Sequence, residues 1–372
     1  MRANKFMGIV FSNMHEECIG ELTAVRTMGS VPFGGRYRMI DFPLSSLVNS
    51  GISKVGVVTK SNYRSLMDHL GTGKTWDLSR KRDGLMILPP FDYGQSGLNQ
   101  GRMESLRSTI NFLEHSDEEF VLIMDSNVIS NLDLENMLKS HVDSGADITI
   151  AYKRGKAPSG LNNLMTFKLA RNRRITEVAV DEKNGDDVNF SLNICVMRKL
   201  ILQRFINTAL SHNFSKFERD IIQANVDPMK IMGYRVDEFS LVIDSLSSYY
   251  NANMSLLDEG TRSSVFTRER PVYTKIHDEM PARYGMDAKV SNSLVADGCV
   301  IEGTVENSVL FRSVYVAKGA VVRNSIIMQS GRIGENTNLD CVISDKNVVF
   351  RAGVSLKGAK TYPMYIGKGT TV

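Results

Sequence analysis

The sequence predicts a two-part chain: an α/β layer of Rossmann-like type followed by a parallel β-helix of hexapeptide repeats. Two observations carry the prediction. From Phe6 to about Asp258, short apolar runs alternate with segments of helical period, the pattern of β-α units building a mostly parallel sheet. Beyond about Ala288, an aliphatic residue followed by small or polar corner residues recurs, as in Val295 to Val300 (VADGCV), Val316 to Val321 (VAKGAV), Ile333 to Asn338 (IGENTN) and Val349 to Val354 (VFRAGV). The spacings scatter around about 18 residues, the length of a three-sided coil. In such a coil the aliphatic side chains point inward, and Gly, Ala and Asn fill tight corners where larger groups clash. An antiparallel sandwich with similar alternation is the alternative, and the shared Val-Ala-x-Gly phrasing favours the β-helix.

Each element follows from its own run. Phe6 to Phe11, Lys54 to Thr59, Phe120 to Met124 and Asp147 to Tyr152 read as buried strands. Asp133 to Val142, Lys199 to Leu210 and Lys216 to Ala224 read as helices. The polar, Pro-containing stretch Thr261 to Tyr284 has no sustained period and reads as a linker. The expected division is therefore 1–260, a linker 261–288, and a β-helix 289–372. In an open α/β sheet, ligands sit beyond the carboxyl ends of the strands, so chemistry is expected just after Phe11 and just after Met124. A β-helix ends in an unpaired strand edge, for which oligomerisation is the expected remedy.

Composition narrows the function. The 372 residues suit about two domains, with 42% hydrophobic and 23% charged residues as in folded soluble proteins. Lys+Arg 45 against Asp+Glu 41 gives a net charge of +4, with no basic block of the kind that lines a nucleic-acid groove. No run of about 18 apolar residues suggests a membrane span. Cys18, Cys195, Cys299 and Cys341 lie far apart and away from any histidine pair, so they read as buried thiols of a cytoplasmic protein. The six histidines, His15, His69, His115, His141, His212 and His277, show no metal spacing and receive no role.

The segment Val31 to Ser45, VPFGGRYRMIDFPLS, continued by Val48 to Ile52, closely resembles the signature of bacterial ADP-glucose pyrophosphorylase, that is, glucose-1-phosphate adenylyltransferase. Tyr250 to Met254 (YNANM), Val272 to Thr274 (VYT) and Pro281 to Tyr284 (PARY) fit the same family, as does the repeat region, so the resemblance spans essentially the whole chain. It implies a nucleotidyltransferase domain of GT-A-like type and a left-handed β-helix. It also implies an activity that joins ATP to glucose 1-phosphate and releases pyrophosphate, giving ADP-glucose for glycogen synthesis.

The chain departs from that family at its chemistry. Active members carry Leu-Ala-Gly-Gly-x-Gly-Thr-Arg-Leu after the first strand, whose glycines let backbone N–H groups approach the triphosphate. Here the glycine positions fall on Asn13, Met14 and Glu16, and the arginine position on Cys18. Glu16 and Glu17 would face a polyanion. The family's Lys-Pro-Ala becomes Met28, Gly29 and Ser30, which removes a cation. Of the two carboxylates that hold magnesium in the family, one falls on Asn127 and the other on Val242, with Asp125 and Asp244 nearby as possible substitutes. The family's Val-Glu-Lys-Pro falls near Ala179 to Glu182, losing the lysine that pairs with the sugar phosphate unless Lys183 is recruited.

These joint losses resemble the GlgD-type subunit of the family, a paralogue inactive or nearly so alone that modulates a catalytic partner. The resemblance implies no catalytic or metal residues and no cofactor in this chain, magnesium belonging to the catalytic partner. It implies a tetramer with that partner, or a homo-oligomer when alone. In the family, basic residues also form a phosphate-effector site between the two domains, for which Arg26, Arg36 and Arg38 beside the Gly34-Gly35 turn are the candidates. Two alternatives stay open: an active adenylyltransferase using Asp125 and Asp244, and a sensor that binds a sugar phosphate or nucleotide without turnover.

Overall fold

The computed structural model describes residues 5–60, 62–89, 101–182, 187–212 and 214–372. The first domain is built on a nine-stranded sheet. At its centre Phe6–Phe11 lies parallel between Lys54–Val58 and Phe120–Asp125, and Gly84–Leu88 extends the Lys54–Val58 side. Because successive side chains of a strand face opposite ways, Phe6–Phe11 feeds two cores: Phe6 and Val10 pack on one side, Met7, Ile9 and Phe11 on the other. Gly8 is needed where the helix Asp41–Asn49 crosses, since a Cβ there would meet Leu47 at 2.8 Å.

Half of the sheet departs from the expected parallel arrangement. The long strand Val188–Arg198 runs antiparallel to Phe120–Asp125, to Ile148–Gly155 and to Met165–Leu169. An apolar run announces burial but not direction, so periodicity alone could not show this. The expected helix from Asp133 is Leu134–Ser144; Asp133 caps it by accepting from Glu135 N at 3.1 Å, and Gly145 ends it at φ 58°. The helix expected over Lys216 to Ala224 is instead a π-turned segment, Phe217–Ile222, followed by a short 3₁₀ turn. The wider turn keeps Phe217, Ile221 and Ile222 in the core while Glu218 also points inward.

The segment read as a linker is partly structured. Glu259–Val265 is helical, capped by Asp258, and Arg283–Tyr284 already pairs with Val300–Ile301 in the first coil. The chain between them is tied to the first domain, with Asn49 donating to Pro271 O at 3.0 Å and Tyr273 N donating to Ser45 Oγ at 2.9 Å.

The second domain is a three-sided β-helix of three five-stranded parallel sheets. Ile301, Val316, Ile333 and Phe350 stack inward at partnered positions, 15, 17 and 17 residues apart. The scattered spacing of the repeats has a geometric cause: Gly298 and Gly319, the glycines of the two Val-Ala-x-Gly phrases, sit at different corners of the triangle. Corner positions adopt positive φ coil after coil, as at Asn292, Asn307, Asn324 and Cys341. Inside that corner runs a ladder of hydroxyls: Ser308 N donates to Ser293 Oγ, Ser325 N to Ser308 Oγ and Val342 N to Ser325 Oγ, each at 3.1 Å. One apolar cluster joins the domains, Met28, Phe33 and Tyr249 meeting Phe311, Ile326 and Met328. No helix among the described residues is long and apolar enough to cross a membrane.

Candidate functional site

The carboxyl ends of Phe6–Phe11 and Phe120–Asp125 meet where a ligand of an α/β sheet is expected. The loop after Phe11 does not form a glycine cradle. His15 takes a left-handed conformation at φ 61°, and Glu16–Ile19 coils into a 3₁₀ turn. Asn13 is buried with neither amide atom bonded, and Met14 packs into the core. Glu16 turns inward to accept from Met28 N at 3.4 Å, and burial pushes its carboxyl up to about 7. Met28–Ser30, which replaces the expected cation, is a buried 3₁₀ turn.

A second segment closes over this loop. Cys18 Sγ donates to Gly160 O at 3.0 Å, Asn162 Nδ2 donates to Glu17 at 3.2 Å, and Gly160 N donates to Asp244 Oδ2 at 3.0 Å. A Cβ at Gly160 would stand 1.9 Å from Asp244 O, so the approach is close enough to demand glycine. Cys18 is half-buried, unlike Cys195, Cys299 and Cys341, so the expectation of four buried thiols is corrected at this position.

The two positions where the resemblance expects metal carboxylates lie at one short ribbon. Val242 pairs with Val128 across a short antiparallel ribbon, Ile243 N donates to Asn127 O at 2.8 Å, and Asn127 Nδ2 donates back to Ile243 O at 3.3 Å. Magnesium at these positions needs oxygen ligands, best from carboxylates. Asn127 offers a single neutral oxygen and Val242 none, so these residues do not fit magnesium. Nor do the nearby acids supply the deficit. Asp125 receives Arg102 Nη1 and Nη2 at 2.6 Å each and stands 3.2 Å from His15 Nε2. Asp244 accepts from Gly160 N and from Ser245 Oγ. Burial pushes the Asp125 carboxyl up, but the charge and hydrogen bonds of Arg102, with His15, outweigh it and hold the group at about 2.

Sequence reading missed Arg102 and Glu218, which sit 2.8 Å apart through Arg102 Nε. It also gave His15 no role. Arg102, Asp125 and Glu218 lie on three segments far apart in the chain, and no local pattern joins them. The sugar-phosphate position lies at the end of Ile175–Val180, where Asp181 turns at φ 65° and its N–H donates to Leu164 O at 2.9 Å. Lys183 lies outside the described residues.

A basic cluster occupies the seam between the domains. Arg26, nearly fully buried, donates through Nη2 to both oxygens of Asp345 at 2.9 Å, while its Nη1 has no partner. Arg38 donates through Nη1 to Ser65 O at 2.6 Å, and burial lowers its pKa. Arg36 is exposed and lies 3.8 Å from Asp297. Two further cations join from the β-helix. Arg312 is buried with Nε and Nη2 unbonded, 4.0 Å from Asp297. Lys346 is pushed down to about 7, by burial first and then by Arg38 and Arg26. The repeat rhythm hides both, because each occupies a corner where polar residues are ordinary.

Residues 20–161 match the nucleotidyl transferase family model, starting just past the altered loop, and residues 276–359 match the GlmU-like C-terminal hexapeptide model, as expected for a left-handed β-helix. The glycogen biosynthesis protein GlgD of Geobacillus stearothermophilus is 38% identical over 368 residues, 99% of this chain and 97% of that protein. GlgD of Bacillus subtilis (strain 168) is 33% identical over 98% of this chain and 96% of its own. The glucose-1-phosphate adenylyltransferase of Clostridium perfringens (strain SM101 / Type A) is 32% identical over 90% of this chain and 87% of its own. With its domain order, its Val31–Ser45 signature and near full-length similarity to these proteins, the chain belongs to the glucose-1-phosphate adenylyltransferase (ADP-glucose pyrophosphorylase) family, alongside the GlgD proteins.

Proposed function

We propose that this chain is a regulatory, catalytically deficient subunit of ADP-glucose pyrophosphorylase. It modulates a catalytic paralogue that makes ADP-glucose from ATP and glucose 1-phosphate for glycogen synthesis. One observation supports the reading: Asn127 and Val242, where the family resemblance expects two metal-binding acids, carry no carboxylate, and Asp125 is already paired with Arg102. Nucleotidyl transfer depends on positioning and on neutralising the charge of the phosphates, and this centre offers neither a cation cradle nor a metal anchor. Magnesium then belongs to the catalytic partner. The exposed first coil of the β-helix, with Tyr284 and Val290 on its outer side, supports assembly with that partner or, when the chain is alone, with itself.

The seam between the domains is the proposed effector site. Arg26 and Arg312 carry buried donors with no acceptor, and Lys346 and Arg38 add charge beside them, which suits a small phosphorylated anion. The experiment compares turnover of ATP and glucose 1-phosphate by the purified chain, by the catalytic paralogue from the same genome, and by the two co-purified. The expected result is turnover by the chain alone at least about a thousand-fold below the mixture, as follows from loss of metal and phosphate positioning, with the mixture differing from the paralogue in affinity or maximal rate. Turnover by the chain alone matching the paralogue overturns the reading and favours an enzyme that uses Asp125 and Asp244.

A further inference from the structure

The vestigial centre is closed by a network that the loss of catalysis does not itself require. Arg102 Nη1 and Nη2 fork onto the two oxygens of Asp125, its Nε donates to Glu218, and its guanidinium lies 5.0 Å from the centroid of the Phe11 ring. Asp125 also faces His15 Nε2, and His15 Nε2 in turn stands 3.1 Å from the Asn193 side-chain amide. The side chains of Arg102, Asp125 and Glu218 are at most 6% exposed. One planar, permanently charged group thus ties together the end of a central strand, the π-turned segment and, through Asp125, the altered loop.

Around this knot, local bonding is poor. Asn13 Nδ2 and Oδ1, Thr59 Oγ1, Ser126 Oγ and Asn127 Oδ1 are buried without a hydrogen-bond partner, all at the carboxyl ends of the three adjacent parallel strands. Unpaired buried polar groups favour opening to water. Something must hold the loop closed against that tendency, and the bidentate pair is the strongest polar interaction present there.

We propose that Arg102 is a resident cation that clasps Asp125, Glu218 and, through Asp125, His15 so that the loop at 12–19 stays closed with no ligand bound. Arg102 acts as a positioning residue, and the inference stands whether or not a catalytic partner is found. The low carboxyl pKa at Asp125 agrees with a permanent positive neighbour.

The test uses the full chain and peptide-resolved hydrogen exchange. In Arg102→Met, which keeps the bulk and removes the charge, exchange of the 12–19 peptide rises about ten-fold while the β-helix peptides are unchanged. In Arg102→Ala, millimolar methylguanidinium restores protection, and in Arg102→Ala with Asp125→Asn it does not. Manganese chloride and magnesium with ATP leave the loop of the unaltered chain unchanged. Unaltered loop exchange in Arg102→Met, or loop protection of the unaltered chain by manganese, overturns the proposal. Should the Arg102 variants not fold, Glu218→Gln reads out the same clasp: loop exchange rises if the proposal holds, and no change overturns it.

Discussion

The centre at the strand ends and the interdomain seam both bury charged side chains and resolve them in opposite ways. At the centre, Asp125 and Glu218 share Arg102, and each formal charge has its partner within 2.8 Å. At the seam, Asp345 satisfies only part of Arg26, while Arg312, 4.0 Å from Asp297, and Lys346 lie beside further cations. The first region is closed, one arginine bridging two acids; the second gathers Arg26, Arg36, Arg38, Arg312 and Lys346 about Asp345 and Asp297. The difference teaches where a ligand is still wanted. Buried donors without acceptors mark the region where a counter-ion would fit.

The contrast can be broken most forcibly at Arg26. Removing it leaves Asp345, fully buried, with Tyr365 Oη and Lys346 N as the donors to its side chain among the described residues. Arg26→Ala is expected to cost roughly 3–5 kcal/mol, the range for an orphaned buried charge, as read by urea unfolding. It should also abolish any rise in Tm with inorganic phosphate.

A smaller effect sharpens the other side. Asn127→Asp restores one acid of the family's pair but adds a second buried carboxylate beside Asp125 without adding a cation. We expect no gain of turnover and a loss of about 1–3 kcal/mol at pH 7, the cost of an unpaired buried polar group. Burial raises the folded-state pKa of the new acid above its unfolded value. The folded chain therefore binds more protons above about pH 4, and the penalty shrinks as the pH is lowered. Unfolding curves at pH 5 and pH 7 check the sign.

The gentlest probe is protonic. Lys346 is held at about 7 against an ordinary 10.5, so between these values the folded chain binds fewer protons than the unfolded one and gains stability as the pH rises. A bound anion reverses that depression. Phosphate binding at pH 7.5 should therefore take up a fraction of a proton, visible as a calorimetric heat that varies with buffer ionisation enthalpy, and Lys346→Met should remove the variation.

Much of the architecture was legible because strands and corners are written locally. The runs at Phe6, Lys54 and Phe120 began where expected, and the corner residues announced the β-helix although their phrases mark different sides of it. Strand direction was hidden, because the side-chain alternation of Val188–Arg198 reads the same whichever way the strand runs. The family signature set the register that assigns Asn127 and Val242 to the expected metal positions, and both lie at one antiparallel ribbon. The network of Arg102, Asp125 and Glu218 could not be read, because these residues meet only through folding. The cations at Arg312 and Lys346 escaped notice for the same reason, standing on a different domain from Arg26 and Arg38.

The serine ladder of the β-helix has a polarity of its own. Each hydroxyl accepts from the N–H of the following coil while Ser293, Ser308 and Ser325 all donate to a carbonyl two residues back in their own coil. A coil therefore receives its amide partner only from its predecessor, so growth from the amino-terminal side finds an acceptor already in place at each step. Shortening the stack from the carboxyl end would uncover an oxygen that solvent satisfies, whereas starting it one coil late would strand an amide in the interior.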